Sequence, residues 1–150
     1  MSANEPVGDW AAFGERLSRV VDFGLLTVLE VDWTRRLVVR SFSSDEAHYP
    51  SGGSKDLMEG TWARQVIFEG RLFVSRTADE FRCAFADHAL LHQMGLSFAL
   101  NIPLRKNGTT VETINLLRGR APFSTQDVQT VLGLVAALGL PCGLDRPENR

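Results

Sequence analysis

The dipeptide Asn107-Gly108 constrains this chain more than any other feature in it. It stands between two strand-like runs, Ser97–Arg105 and Thr109–Leu117. A two-residue hairpin turn of type I′ needs positive φ at both positions, and Asn-Gly meets that need best. The chain must therefore build an antiparallel sheet around this hairpin. Counting outward from the tip sorts the side chains onto two faces, because successive strand residues alternate. One face is expected to carry Phe98, Leu100, Ile102, Leu104, Val111, Thr113, Asn115 and Leu117, an apolar surface for helices to cover. The other is expected to carry Ser97, Ala99, Asn101, Pro103, Thr110, Glu112, Ile114 and Leu116. That second face is smaller and more polar near Ser97 and Asn101, as a pocket floor would be. Asn101 either contacts a ligand there or satisfies a neighbouring backbone group.

Upstream, Trp10, Phe13, Leu17, Val20 and Val21 follow helical spacing, with Asp9 as N-cap and Gly24 as stop. Leu25–Val31 and Arg36–Ser43 read as two antiparallel strands joined by a turn at Asp32–Arg35. The segment from Ser44 to Gly60 reads as a long loop, a length often tied to function. Its Ser51-Gly52-Gly53-Ser54-Lys55 piece lacks phosphate-loop spacing. A short helix is expected at Thr61–Phe68, a strand at Gly70–Ser75 and one continuous helix from Glu80 to Met94, closed by Gly95. Ser124-Thr125-Gln126-Asp127 has the form of a capping box and opens a last helix to about Leu138. Helices segregated around a central antiparallel sheet make an α+β architecture.

The chain has 150 residues, a length that favours a single domain, with its core at about 10–138 and a polar tail at 145–150. With 16 basic against 18 acidic residues the formal net charge is −2. No long-range positive field exists to collect nucleic acid or an anionic membrane, so neither is expected as a partner. The two cysteines, Cys83 and Cys142, form no CxxC pair and are read as reduced thiols in a cytoplasmic protein. Cys83, among apolar neighbours on a helix, is expected to be inert. Met1–Pro6 lacks the pattern of a signal peptide. The apolar stretch Val131–Leu144 is broken by Gly133, Gly139 and Pro141 and reads as a buried helix rather than a membrane span.

Taken in order, Tyr49-Pro50-Ser51-Gly52-Gly53-Ser54-Lys55, Thr61-Trp62, Phe85-Ala86-Asp87-His88-Ala89-Leu90-Leu91, Gly95-Leu96-Ser97 and Leu100-Asn101-Ile102-Pro103-Leu104 resemble a GAF domain. Thr113-Ile114-Asn115-Leu116-Leu117 and Phe123-Ser124-Thr125-Gln126-Asp127 extend the resemblance, which spans roughly Trp10 to Leu138. It implies a six-stranded antiparallel sheet of GAF/PAS type with helices on both faces. One face would hold a small-molecule pocket, and terminal helices on the other would dimerise. GAF domains usually regulate an attached output domain. The expectation here is a standalone domain that signals through a homodimer or a separate signalling protein.

The candidate ligand-binding residues are Tyr49, Trp62, Asp87, His88, Ser97 and Asn101. On a continuous 80–94 helix, Arg82 and Gln93 would mark the solvent side and Asp87 and His88 would point inward. A buried Asp or His needs partners. The two either contact a polar ligand or form a helix-to-loop hydrogen bond that fixes a lid. Trp62, Tyr49 and Phe42 either wall the pocket or pack the core. Trp10, Phe13, Leu17, Val131, Leu134 and Leu138 are the candidate dimer-interface residues, since the last helix is apolar on several sides.

Competing chemistries are tested against the same residues. His88 and His92 sit four apart, but no third metal ligand is evident, and no metal is expected. The segment Phe85–Leu96 resembles the chromophore helix of phytochromes, yet seven residues before Gly95, where the bilin-bearing cysteine would stand, is His88. Cyclic-nucleotide-binding GAF domains carry an Asn-Lys and Phe-x-x-x-Asp-Glu pattern. Here Asn115 and Phe123-x-x-x-Asp127 stand, while Leu116 and Val128 replace the Lys and Glu. Loss of that Lys is expected to remove an ion pair with Asp127. GAF-fold free methionine sulfoxide reductases need clustered cysteines, and Cys83 and Cys142 do not match the expected loop. The reading is a non-catalytic sensor for an unidentified small molecule, with no cofactor assigned. The alternatives are a small redox enzyme of the methionine sulfoxide reductase type and a pure dimerisation module.

Overall fold

The computed structural model describes residues 9–57 and 60–139. Its strands are β1 (Leu25–Asp32), β2 (Leu37–Ser43), β3 (Ser54–Asp56), β4 (Phe73–Val74), β5 (Phe98–Lys106) and β6 (Thr109–Arg118). Its α-helices are α1 (Trp10–Ser18), α2 (Ala78–Ala84), α3 (His88–Gln93) and α4 (Thr125–Ala137), and a wider helical segment spans Ala63–Phe68. The six strands form one sheet in the order β3-β2-β1-β6-β5-β4, antiparallel throughout. The expected α+β class holds. Cys142, Pro141 and the tail at 145–150 lie outside the described residues, so what was expected of them is not addressed.

The local signals act as chemistry dictates. The Asp9 carboxylate accepts from Ala11 and Ala12 N–H and caps α1. That helix stops at Ser18, short of Gly24, because the Val20 and Val21 N–H groups both turn back to the Leu17 carbonyl. Asn107 and Gly108 take φ of 54° and 78° and close the β5–β6 hairpin between Lys106 and Thr109. Ser124 and Asp127 exchange side chain and backbone in a full capping box at the start of α4.

Four expectations need correction. The long loop contains β3, three exposed residues paired with the edge of β2. The expected strand at Gly70–Ser75 shortens to Phe73–Val74. The 80–94 helix is two helices, because Phe85 is extended (φ −122°, ψ 119°) and Asp87 opens α3. Nothing local breaks it. Phe85 packs on Phe81, with ring centroids 4.9 Å apart, and faces Trp62 at 6.3 Å. Gly95 still closes α3: at φ 83° its N–H bonds the His92 carbonyl while Leu96 N–H reaches Leu91, a Schellman arrangement.

The fourth correction concerns β6. A register shift pairs Leu104 with Glu112 and Arg105 with Thr110, which leaves Val111 as the extra residue of a bulge. A one-residue slip turns every side chain beyond it to the opposite face. The β5 assignments therefore stand, Thr110 keeps its expected face, and the β6 residues beyond the bulge are exchanged. Ile114 and Leu116 join Leu100, Ile102 and Leu104 beneath the terminal helices, whereas Thr113, Asn115 and Leu117 share the other face with Ala99 and Asn101.

The core on the helix face gathers Phe13 and Leu17 of α1, Val131 and Val135 of α4, Phe123 and those sheet residues. Across the sheet, Leu25, Ala99 and Leu117 pack against Phe81, Leu91 and Leu96, and Val38 packs against Leu57, Val66 and Ile67.

On the helix face, Glu30 and Glu112 stand directly opposite each other on β1 and β6. Burial, then the Glu30 charge, pushes the Glu112 carboxyl up to about 7 from 4.5. A raised folded-state value favours the protonated form. Stability is therefore full below about pH 4.5 and falls as pH rises toward 7. Because the site is partly solvated, Glu112→Gln is expected to stabilise the chain by only about 1 kcal/mol at pH 8, and by nothing at pH 4. Urea denaturation at the two pH values reads this, and equal effects at both would contradict it.

Candidate functional site

Between the second sheet face and the layer of loop, wide helical segment, α2 and α3 lies a cavity of about 340 Å³. Its floor is Thr27, Leu29, Asn115 and Leu117 on the central strands, with Val38 and Arg40 on β2. Its far wall comes from Trp62, Ala63 and Ile67, from Leu91 of α3, and from the stretch Arg82–His88. Leu57, Tyr49, Lys55 and Asp56 close the side nearest β2 and β3.

Four of the six candidate ligand residues line this space: Tyr49, Trp62, Asp87 and His88. Asn101 does not. It is fully buried behind the floor, where its Oδ1 accepts from Trp62 Nε1 at 3.1 Å and its Nδ2 donates to Asn115 Oδ1 at 2.7 Å. Asn115 in turn donates to Thr27 Oγ1 at 3.2 Å and accepts from Thr113 Oγ1 at 3.1 Å. The asparagine thus bonds side chains rather than a loop backbone. Ser97 also lies outside the lining and precedes β5, its N–H donating to the Arg118 carbonyl. Phe42 packs with the terminal helices on the opposite face, so it is no part of the pocket wall.

Asp87 makes the lid bond. Tyr49 Oη donates to Asp87 Oδ2 at 2.5 Å, joining the long loop to the break between α2 and α3. The Arg40 guanidinium lies 3.9 Å over the Tyr49 ring, and its Nη1 donates to the Pro50 carbonyl at 2.8 Å. Burial, then the Asp87 carboxylate, holds the Tyr49 phenol well above its usual range, so it remains a donor. Tyr49→Phe removes a bond to a charged acceptor and is expected to cost about 1–2 kcal/mol. It should also speed amide hydrogen exchange at residues 85–88. Unchanged exchange there would show that Tyr49 does not hold this segment.

The residues missed from sequence are Arg40, Thr27, Asn115 and Cys83. Thr27 and Asn115 were assigned by alternation or left inside a strand, and the bulge in β6 concealed that they face each other across the floor. Cys83 is exposed and lines the cavity, which corrects its placement among apolar neighbours. His88 reaches the cavity while His92 is exposed, and among the described residues no group of three potential metal ligands forms. No helix among the described residues is long and apolar enough to cross a membrane.

Of the candidate interface residues, Phe13, Leu17 and Val131 are buried in the core of a single chain at 4%, 0% and 0% exposure. This leaves them little surface to offer a second copy. Trp10 and Leu134 are partly covered and Leu138 is 37% exposed. Asp127 does have a cationic partner despite Leu116. Arg118 Nη2 donates to its Oδ2 at 2.7 Å from two residues further along β6.

No protein-family model matches the sequence, and no curated protein matches it significantly. Solved structures do. The GAF domain of a two-component sensor histidine kinase from Bacillus halodurans superposes with a TM-score of 0.70 at 14% identity, covering 89% of this chain and 88% of that one. The GAF domain/HD domain protein from Geobacter sulfurreducens gives 0.70 at 13% identity, over 91% and 92%. A type II free methionine-R-sulfoxide reductase from Thermoplasma acidophilum gives 0.62 at 11% identity, over 85% and 84%. Identities this low speak for the fold alone, and with the strand order and the cavity they agree on it: this chain has the GAF fold.

Proposed function

We propose that the chain is a non-catalytic small-molecule sensor, working in the cytoplasm through a homodimer or a separate signalling protein. The observation that carries this reading is the cavity. It has the size of a small-ligand site, apolar walls, a few convergent polar groups and a lid held by one hydrogen bond. The sensor kinase whose GAF domain superposes on this chain supports the reading by analogy of fold. Native mass spectrometry of purified protein under gentle conditions tests it. A bound mass released on denaturation is the expected result. An empty chain that also takes up nothing from a metabolite extract would overturn it.

The proposed dimer uses Trp10, Leu134 and Leu138, the candidate interface residues left accessible at the surface of the terminal helices. Leu134→Asp is expected to turn a sedimenting dimer into a monomer at tens of micromolar. A dimer that survives this change would reject the interface.

A second reading, a small redox enzyme, draws on Cys83 at the cavity and on the sulfoxide reductase among the similar structures. Sulfoxide reduction passes through a sulfenic acid that a second thiol resolves. Free methionine-R-sulfoxide turnover that disappears in a Cys83→Ser, Cys142→Ser protein would establish this reading over the first.

A further inference from the structure

We infer that the ligand is a small organic acid, one carboxylate on an apolar body, and that Arg40 binds the carboxylate. This rests on the small-molecule reading above. Arg40 lies opposite Leu29 in the β1–β2 register, one side-chain step from Thr27 along the same lined face. Its side chain is only 17% exposed. A guanidinium has five N–H donors. Among the described residues, Pro50 O accepts from Nη1 at 2.8 Å, the Tyr49 hydroxyl faces the guanidinium, and Asp87 Oδ2 forms an ion pair with Nη2 across 4.0 Å, so part of the five-donor fork stays without an acceptor. Buried donors without acceptors are costly, so the remaining fork is set up for an incoming one. A carboxylate fits it, since two parallel N–H···O bonds match the planar fork.

The nearby carboxylates make no hydrogen bond to the guanidinium, although Asp87 forms an ion pair with it at 4.0 Å. Asp87 accepts the Tyr49 hydroxyl, and Glu46 accepts the Ser51 N–H. Arg82 is paired with Asp79 in water, and Lys55 and Asp56 are exposed, so of the cations that line the cavity Arg40 is the one largely shielded from solvent. One shielded guanidinium calls for a single anionic group. The rest of the space is bounded by Leu29, Val38, Leu57, Ile67, Leu91 and Leu117, which calls for an apolar body. At about 340 Å³ the cavity lies near the small end of ligand pockets, which run from ~300 to 1,000 Å³.

The test is calorimetric titration of the full chain with matched acids and amides: 3-methylbutanoate and 3-methylbutanamide, phenylacetate and phenylacetamide, 2-naphthoate and 2-naphthamide. At least one acid is expected to bind about tenfold or more tightly than its amide, the ratio a single charge-assisted bond supplies. Arg40→Gln should abolish that preference and leave the amide's affinity within about twofold, since the apolar cavity remains. Arg40→Lys, which keeps the charge but not the fork, should fall between. Acids binding no better than their amides would overturn the inference and leave the small-molecule reading standing, and this comparison needs no variant. A preference that survives Arg40→Gln would overturn the role of Arg40. If no acid or amide binds and native mass spectrometry finds no ligand, the small-molecule reading itself fails.

Discussion

Arg118→Met is expected to destabilise the chain by about 3 kcal/mol, read as a lower urea midpoint at an unchanged slope. The side chain is 11% exposed and holds four acceptors at once. Its Nε donates to Ala121 O, its Nη1 to Asp22 O, and its Nη2 to Pro122 O and Asp127 Oδ2, while its guanidinium lies 4.1 Å over the Phe123 ring. Methionine keeps the apolar cover over Phe123 but leaves these oxygens without their donor. One residue thereby ties the end of β6 to the chain between α1 and β1, and to the first turn of α4. The loss should shrink in acid. Burial works to raise the Asp127 value, but the Ser124 N–H and Arg118 outweigh it and hold the carboxyl below its usual 3.8. A depressed folded-state value contributes stability that is present above the unfolded value and lost as pH falls through the folded one. The gap between wild type and variant should therefore narrow as pH falls below 3.8. A cost under about 1 kcal/mol at pH 7 would mean that water replaces the guanidinium without penalty.

Asn101→Leu is expected to cost about 3 kcal/mol as well, although leucine has nearly the same volume and a greater liking for the interior. The substitution removes the acceptor of Trp62 Nε1 and the donor to Asn115 Oδ1 in a fully buried place. Half-satisfied buried networks are worse than apolar ones. Thr27→Val, which loses one 3.2 Å bond at the edge of the same network, should cost only about 1 kcal/mol. Trp62 reports locally too, because release of its indole N–H should change its fluorescence. An Asn101→Leu protein as stable as wild type, with unaltered Trp62 emission, would show that the network does not organise the floor.

Elements decided within a few residues were legible in the sequence. Asp9 caps α1, Asn107-Gly108 closes the hairpin, Ser124 and Asp127 exchange hydrogen bonds, and Gly95 ends α3, each through geometry spanning one turn of chain. The helical stripe of Phe13 and Leu17 and the β5 alternation follow from the same short periodicities. The order of motifs was enough for the fold, and Tyr49, Trp62, Asp87 and His88 were found because a long loop and a polar helix segment stand out locally.

What tertiary structure alone decided were matters of register and partner. A bulge at Val111 follows from how two strands settle against the layers on either side, and it moved Asn115 to the pocket face and Ile114 to the core. No Gly or Pro breaks the chain at Phe85; packing on Phe81 and Trp62 and the Tyr49–Asp87 bond accompany the break, and Trp62 and Tyr49 come from distant parts of the chain. Arg40 reads as an ordinary strand residue until the loop folds Tyr49 onto it and Asp87 beside it. Arg118 likewise pairs with Asp127 because the β6–α4 connection brings them together, two residues from the position where the family pattern places its cation. Periodicity reports which way a side chain points relative to its neighbours in sequence. It carries no information about which residue, dozens of positions away, will be waiting there.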